Sequence, residues 1–106
     1  MARVGDRVGA ILSATNREVK FLGYGVFKGN LEPPDDTQTP FGTAGDINKM
    51  VRENGGDPWT NPCIELDDGR IVWGCQCWWG DEDEVRHSIK DRTVVVVDLE
   101  GNPITS

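Results

Sequence analysis

The sequence predicts an α+β domain: a mainly antiparallel sheet of about five strands, with two short helices on one side. Three observations carry this. Five segments read as strands, namely 6–13, 18–28, 63–66, 70–78 and 93–97, and turn-forming residues separate them. Two segments, 46–54 and 81–90, place apolar residues at helical spacing between a capping residue and a stop. The chain has 106 residues, which suits one domain. Surface scaling gives roughly 5,900 Å² folded against about 17,000 Å² unfolded, enough for a modest core but not for a separate cofactor domain.

The elements follow in the order β-β-loop-α-β-β-α-β. Asp6–Ser13 and Glu18–Lys28 form a hairpin around Ala14-Thr15-Asn16-Arg17. Strict alternation puts Val19, Phe21, Gly23, Gly25 and Phe27 on one face of the second strand and Leu22, Tyr24 and Val26 on the other. A glycine inside a strand marks a bulge or a close approach by a ligand or another backbone. From Gly29 to Gly45 the pattern disappears among prolines, aspartates and threonines, which predicts a long flexible loop, a lid or simply mobile. Ile47, Met50 and Val51 then define a short helix, capped by Asp46 or Thr43 and stopped by Gly55-Gly56.

Asp67-Asp68-Gly69 is the strongest hairpin signal, joining Cys63–Leu66 to a strand from Arg70 through Trp78. Asp81 and Glu84 have capping-box spacing at the start of the second helix, and Arg86, His87 and Lys90 suit its C-terminal dipole. The run Thr93–Val97 reads as a buried strand, and Glu100-Gly101-Asn102-Pro103 as a terminal turn.

Eleven basic against 18 acidic residues leave a net charge of −7. Long nucleic acid and anionic membrane surfaces are therefore poor partners, because both are held by clustered Lys and Arg. One local arginine can still bind a phosphate. No apolar run approaches membrane-spanning length, and the N-terminus lacks the apolar core of a signal peptide. Three cysteines, an odd number, point to a reducing compartment rather than a disulfide framework.

Cys63, Cys75, Cys77 and His87 are the only candidates for a Cys3His metal site, and their spacing argues against one. On a strand, residues i and i+2 stand about 6.6 Å apart, whereas zinc thiolates come from tight knuckle turns. No metal and no cofactor are expected. One histidine and no nucleophile-plus-base motif give no support to hydrolysis. Gly23-Tyr24-Gly25-x-x-x-Gly29 lies in a strand with no helix after it, so it is not a phosphate loop.

The aromatics carry more. If Arg70–Trp78 is one strand, then Arg70, Val72, Gly74, Gln76 and Trp78 share a face, opposite Ile71, Trp73, Cys75 and Cys77. An indole that stacks, an amide that reads a base edge and a guanidinium that meets phosphate suit a planar nitrogenous ligand. Trp79 and Trp59 can supply walls. The expected ligand-binding residues are Tyr24, Gly25, Trp59, Asn61, Arg70, Gln76, Trp78 and Trp79. Trp78 and Tyr24 would stack, and Gln76 or Asn61 would read the base.

Three stretches, Val4–Ala14, Phe21–Phe27 and Asn61–Gly80, resemble a type of small phage-encoded protein, the anti-CBASS sponges. That resemblance implies immune evasion in the host cytoplasm, with a cyclic oligonucleotide or related nucleotide signal bound and held without cleavage. It also implies a homo-oligomer whose protomers build the pocket together. It assigns no site residue. Two other functions fit the composition: an acidic protein–protein inhibitor module that blocks a host enzyme, and an enzyme that degrades a nucleotide signal.

Overall fold

A computed structural model describes residues 2–104. The chain is α+β, with a six-stranded, mainly antiparallel sheet and two helices. β1 (Arg7–Ala14) and β2 (Glu18–Leu31) form the expected hairpin, and β2 is the organising strand. One edge of β2 pairs with β1. Its other edge is shared: β8 (Thr93–Val96) runs parallel to Glu18–Phe21, and β5 (Asn61–Leu66) runs antiparallel to Gly25–Leu31.

The sheet order is β6-β5-β2-β1-β7, with β6 (Ile71–Trp73) and β7 (Trp78–Asp81) at the two ends. In a flat sheet those ends would stand about 19 Å apart. The linker between them holds a 3₁₀ turn, Gly74–Gln76, whose rise is only about 2 Å per residue. The sheet therefore curls into a partly open barrel. Gly74 seals the curl: a Cβ there would lie 2.9 Å from both Pro62 Cγ and Trp79 Nε1.

Two cores result. Val8, Ala10, Leu22, Phe27, Ile64, Leu66, Val72 and Val97 fill the barrel. Ile11, Val19 and Phe21 on its outer face are covered by Val85 and Ile89 of α2 (Glu82–Ile89). Asp81 caps α2, its carboxylate accepting from the Asp83 and Glu84 N–H groups. β3 (Gln38–Thr39), β4 (Gly42–Thr43) and α1 (Ala44–Glu53) belong to a separate excursion between β2 and β5. This excursion lengthens the molecule to 47 × 27 × 25 Å, with a radius of gyration of 14.7 Å, against about 13 Å for a compact chain of this size.

Five expectations change. The strand predicted over 70–78 breaks at the 3₁₀ turn, and its two halves sit on opposite edges of the sheet. The strict alternation along β2 fails because Leu22 is an extra residue in a bulge: Ala10 faces Gly23 while Ile11 faces Phe21. A one-residue slip reverses every side chain beyond it, so Phe21 and Tyr24 share the α2 side and Leu22 enters the barrel. The loop of 29–45 is partly ordered: β2 runs on to Leu31 and a small β3–β4 hairpin follows. The helices are not on one side, since α2 covers the barrel and α1 packs within the excursion against β4. Finally, β8 is half-covered, with Val94 and Val96 each 41% exposed, because it lies at the rim beside a single partner strand.

Between β8 and β5 the shared edge of β2 has a gap at Leu22–Tyr24. Buried carbonyls there need donors. The Val97 N–H reaches Phe21 O at 2.9 Å and the Asp67 N–H reaches Tyr24 O at 2.9 Å. Arg70 supplies the rest: its guanidinium donates to Leu22 O and, at 3.0 Å, to Val97 O, while its Nε donates to Asp68 at 2.7 Å. Replacing Arg70 with Met strands the two carbonyls, each costing about 1–3 kcal/mol. The expected loss is about 2–4 kcal/mol in urea unfolding. Arg70→Lys should recover only part of it, because one ammonium lacks the planar fork. An Arg70→Met protein as stable as wild type would show that the gap closes another way.

Candidate functional site

The expected site residues do not share a face. Arg70 is committed to two backbone carbonyls and to Asp68. Gly25 faces protein: a Cβ there would clash with Glu65 O and lie 2.8 Å from Leu66 Cα, so the glycine admits β5 rather than a ligand. Tyr24 packs edge-on against Phe21 at 4.8 Å, with Arg86 5.1 Å above its ring. Trp79 stacks on Phe27 at 5.2 Å. Trp78 lies on the other edge strand and is 58% exposed. Trp59 sits in the excursion, where its backbone N–H donates to Oδ1 of the buried Asn48 at 2.7 Å.

Asn61 and Gln76 do come together, as holders of the 3₁₀ turn. Asn61 Oδ1 accepts from the Cys75 N–H at 2.8 Å. Gln76 Oε1 accepts from the Trp73 N–H at 3.0 Å, and its Nε2 donates to Gln38 O at 2.9 Å. That second bond ties the β3–β4 hairpin to the barrel.

The tie makes one wall of a groove. Gln38, Thr39 and Pro40 stand on one side, Cys75 and Gln76 form the floor, and Leu99 and Glu100 of the C-terminal turn stand opposite, enclosing ≈ 490 Å³. A second cavity of ≈ 410 Å³ adjoins it at Leu99 and Glu100 and runs along Arg70, Ile71, Val72 and Asp98. Phe41, 85% exposed, projects from the hairpin beside Pro40. Gln76 and Arg70 are thus the two expected residues that border the groove. Pro40, Leu99 and Glu100 were not legible as site residues, because nothing local says that a hairpin inside a long loop meets a terminal turn across a 3₁₀ linker.

The charge is one-sided. Arg7 is held by Asp67 at 2.7 Å and by Glu82 at 2.7 Å, Arg86 by Glu82 and Asp83, and Lys28 by Glu65. Hydrogen bonds from Arg7 hold the Asp67 and Glu82 carboxyls below their usual range. Asp68 is likewise lowered: burial opposes the shift, but the Arg70 N–H and guanidinium outweigh it. On the groove wall Asp98 accepts only backbone N–H groups, from Glu100 and Asn102, and the Glu100 carboxylate has no ion-pair partner among the described residues. The groove therefore combines apolar surface with two carboxylates that lack ion-pair partners among the described residues. A cation also outside those pairs, Lys20, stands at the turn behind them, its ammonium 3.7 Å from where a Cβ of Gly101 would be.

Among the described residues, no group of three His, Cys, Asp or Glu side chains is placed to hold a metal ion. No helix there is long and apolar enough to cross a membrane. Comparison with known proteins finds no relative: no family model matches the chain, nor does any curated protein or solved structure.

The cysteines are free. Burial, reinforced by Cys75, pushes the Cys77 thiol up to about 12, and burial also raises Cys63 and Cys75. All three are protonated at neutral pH and poorly nucleophilic. With a disulfide-exchange reagent at pH 8, Cys75 should react first, because it lines the open groove. Cys63 and Cys77 should wait for unfolding in guanidinium. Rapid modification of all three in the native protein would contradict this burial.

Proposed function

We propose that the chain is a non-catalytic, acidic protein-binding module that blocks a partner by seating part of it in the groove between the β3–β4 hairpin and the Leu99–Glu100 turn. One observation carries the reading: the groove meets solvent with the Asp98 and Glu100 carboxylates, neither ion-paired among the described residues, beside exposed Ile71, Leu99 and Phe41, while the guanidinium on its border, Arg70, is held by Asp68. A ligand matching that surface is cationic and partly apolar, as a protein segment can be. A host enzyme as the blocked partner agrees with the resemblance to phage proteins. Three free thiols fit action in a host cytoplasm.

A second reading, capture of a cyclic oligonucleotide without cleavage, is favoured by the size of the groove. Its two cavities fall within the range of about 300–1,000 Å³ typical of small-ligand sites. In that reading a second copy of the chain closes the open side, and the N–H groups of Arg70 not used internally meet phosphate. The two wall carboxylates weigh against it, since like charges in a cleft repel.

A benzophenone amino acid at position 99, irradiated in bacterial lysate, separates the two readings when run beside calorimetry with cyclic di- and trinucleotides. The protein-binding reading expects a discrete crosslinked protein that is absent when the probe is moved to position 54, and no heat from the nucleotides. Micromolar nucleotide binding with no crosslink would favour the second reading. Neither signal would sink both.

A further inference from the structure

The free edge of β6 runs along this groove. Its exposed groups follow from the ladder phase, because antiparallel pairs alternate between bonded and non-bonded positions. The Leu66 N–H donates to Arg70 O at 2.8 Å, which fixes Arg70 as bonded to β5. Val72, opposite Ile64, shares that phase, while Ile71 and Trp73 turn their backbone groups outward. Trp73 confirms the phase: its outward N–H donates to Gln76 Oε1, and its carbonyl accepts from the Cys77 thiol at 3.5 Å. Ile71 is left with an N–H and a C=O that have no partner among the described residues, and the residue is 45% exposed.

Gln76 shows what the gap accommodates. Its amide accepts from β6 on one side and donates to Gln38 of β3 on the other. A peptide unit of an inserted strand would make the same two bonds. We infer that the groove takes an extended peptide, which continues the line of the Gln76 amide and adds as a strand to the β6 edge at Ile71, with cationic and apolar side chains alternating. This rests on the protein-binding reading and names the partner's chemistry. The backbone pairing supplies affinity, as in other strand additions. The period-2 alternation sends one set of side chains towards the Asp98 and Glu100 carboxylates and the other onto Leu99 and Pro40. A three-residue edge guarded by two carboxylates admits few strands, so charge becomes the selector.

The test uses the ¹⁵N-labelled full chain and three octapeptides: acetyl-(Lys-Val)₄-amide, its Glu-Val counterpart, and the Lys-Val peptide with alternate backbone nitrogens methylated. The Lys-Val peptide should slow amide exchange at Ile71 at least tenfold and shift the Gln76 and Leu99 signals. Glu100→Lys, checked for unchanged fold by its spectrum, should weaken that binding at least fivefold, and methylation should abolish it. The inference is overturned if the methylated or Glu-Val peptide binds as well, or if Lys-Val binds without protecting Ile71. It also falls if no peptide binds. A crosslinked protein at position 99 in that last case would leave the protein-binding reading standing, and its absence would remove both.

Discussion

The fold depends on how the shared edge of β2 is completed. A strand of 14 residues serves β1 on one side and two partners, β8 and β5, on the other, and those two do not meet. Arg70 bridges the break, holding Leu22 O and Val97 O while Asp68 holds its Nε. The bridge fixes where β8 ends and therefore where the Asp98–Asn102 turn projects. It also anchors the start of β6, so one guanidinium sets both the far wall and the edge of the groove. That commitment is why Arg70 makes a poor primary phosphate ligand, although its type and position suggested one.

The groove likewise descends from the way the sheet closes. The 3₁₀ turn at Gly74–Gln76 carries the chain from one edge of the sheet to the other, and Gly74 is the residue that lets Pro62 and Trp79 approach. Gln76 follows at once and draws in the β3–β4 hairpin. Closure of the barrel and formation of the near wall are consequences of the same short linker. Charge placement follows from packing too: Arg7, Arg70, Arg86 and Lys28 are held in ion pairs on the barrel, and the Asp98 and Glu100 carboxylates on the groove wall are left outside those pairs.

Local signals in the sequence were strong where local chemistry decides. Asp67-Asp68-Gly69 is a hairpin turn, with the Gly69 N–H donating to Leu66 O at 2.9 Å; Thr43 and Asp81 cap the two helices. Reading failed where a single residue changes parity or direction. The extra Leu22 reversed the faces of β2, and the 3₁₀ turn broke an alternation that looked continuous from Arg70 to Trp78. The candidate site was only half legible for the same reason. Arg70 and Gln76 border the groove, but their roles are set by carbonyls at positions 22, 97 and 38, which no spacing rule connects to them.

In the proposed function the groove selects a partner by positive charge and apolar contact, through the Asp98 and Glu100 carboxylates beside Leu99 and Ile71. The ionic-strength dependence of partner binding, measured at full length between about 50 and 500 mM salt, tests it most directly. Screening shortens from roughly 14 Å to about 4 Å over that range. Affinity should fall several-fold as salt rises, with the loss reduced in Glu100→Lys. Affinity that is indifferent to salt, or that rises with it, would contradict selection by charge at this groove.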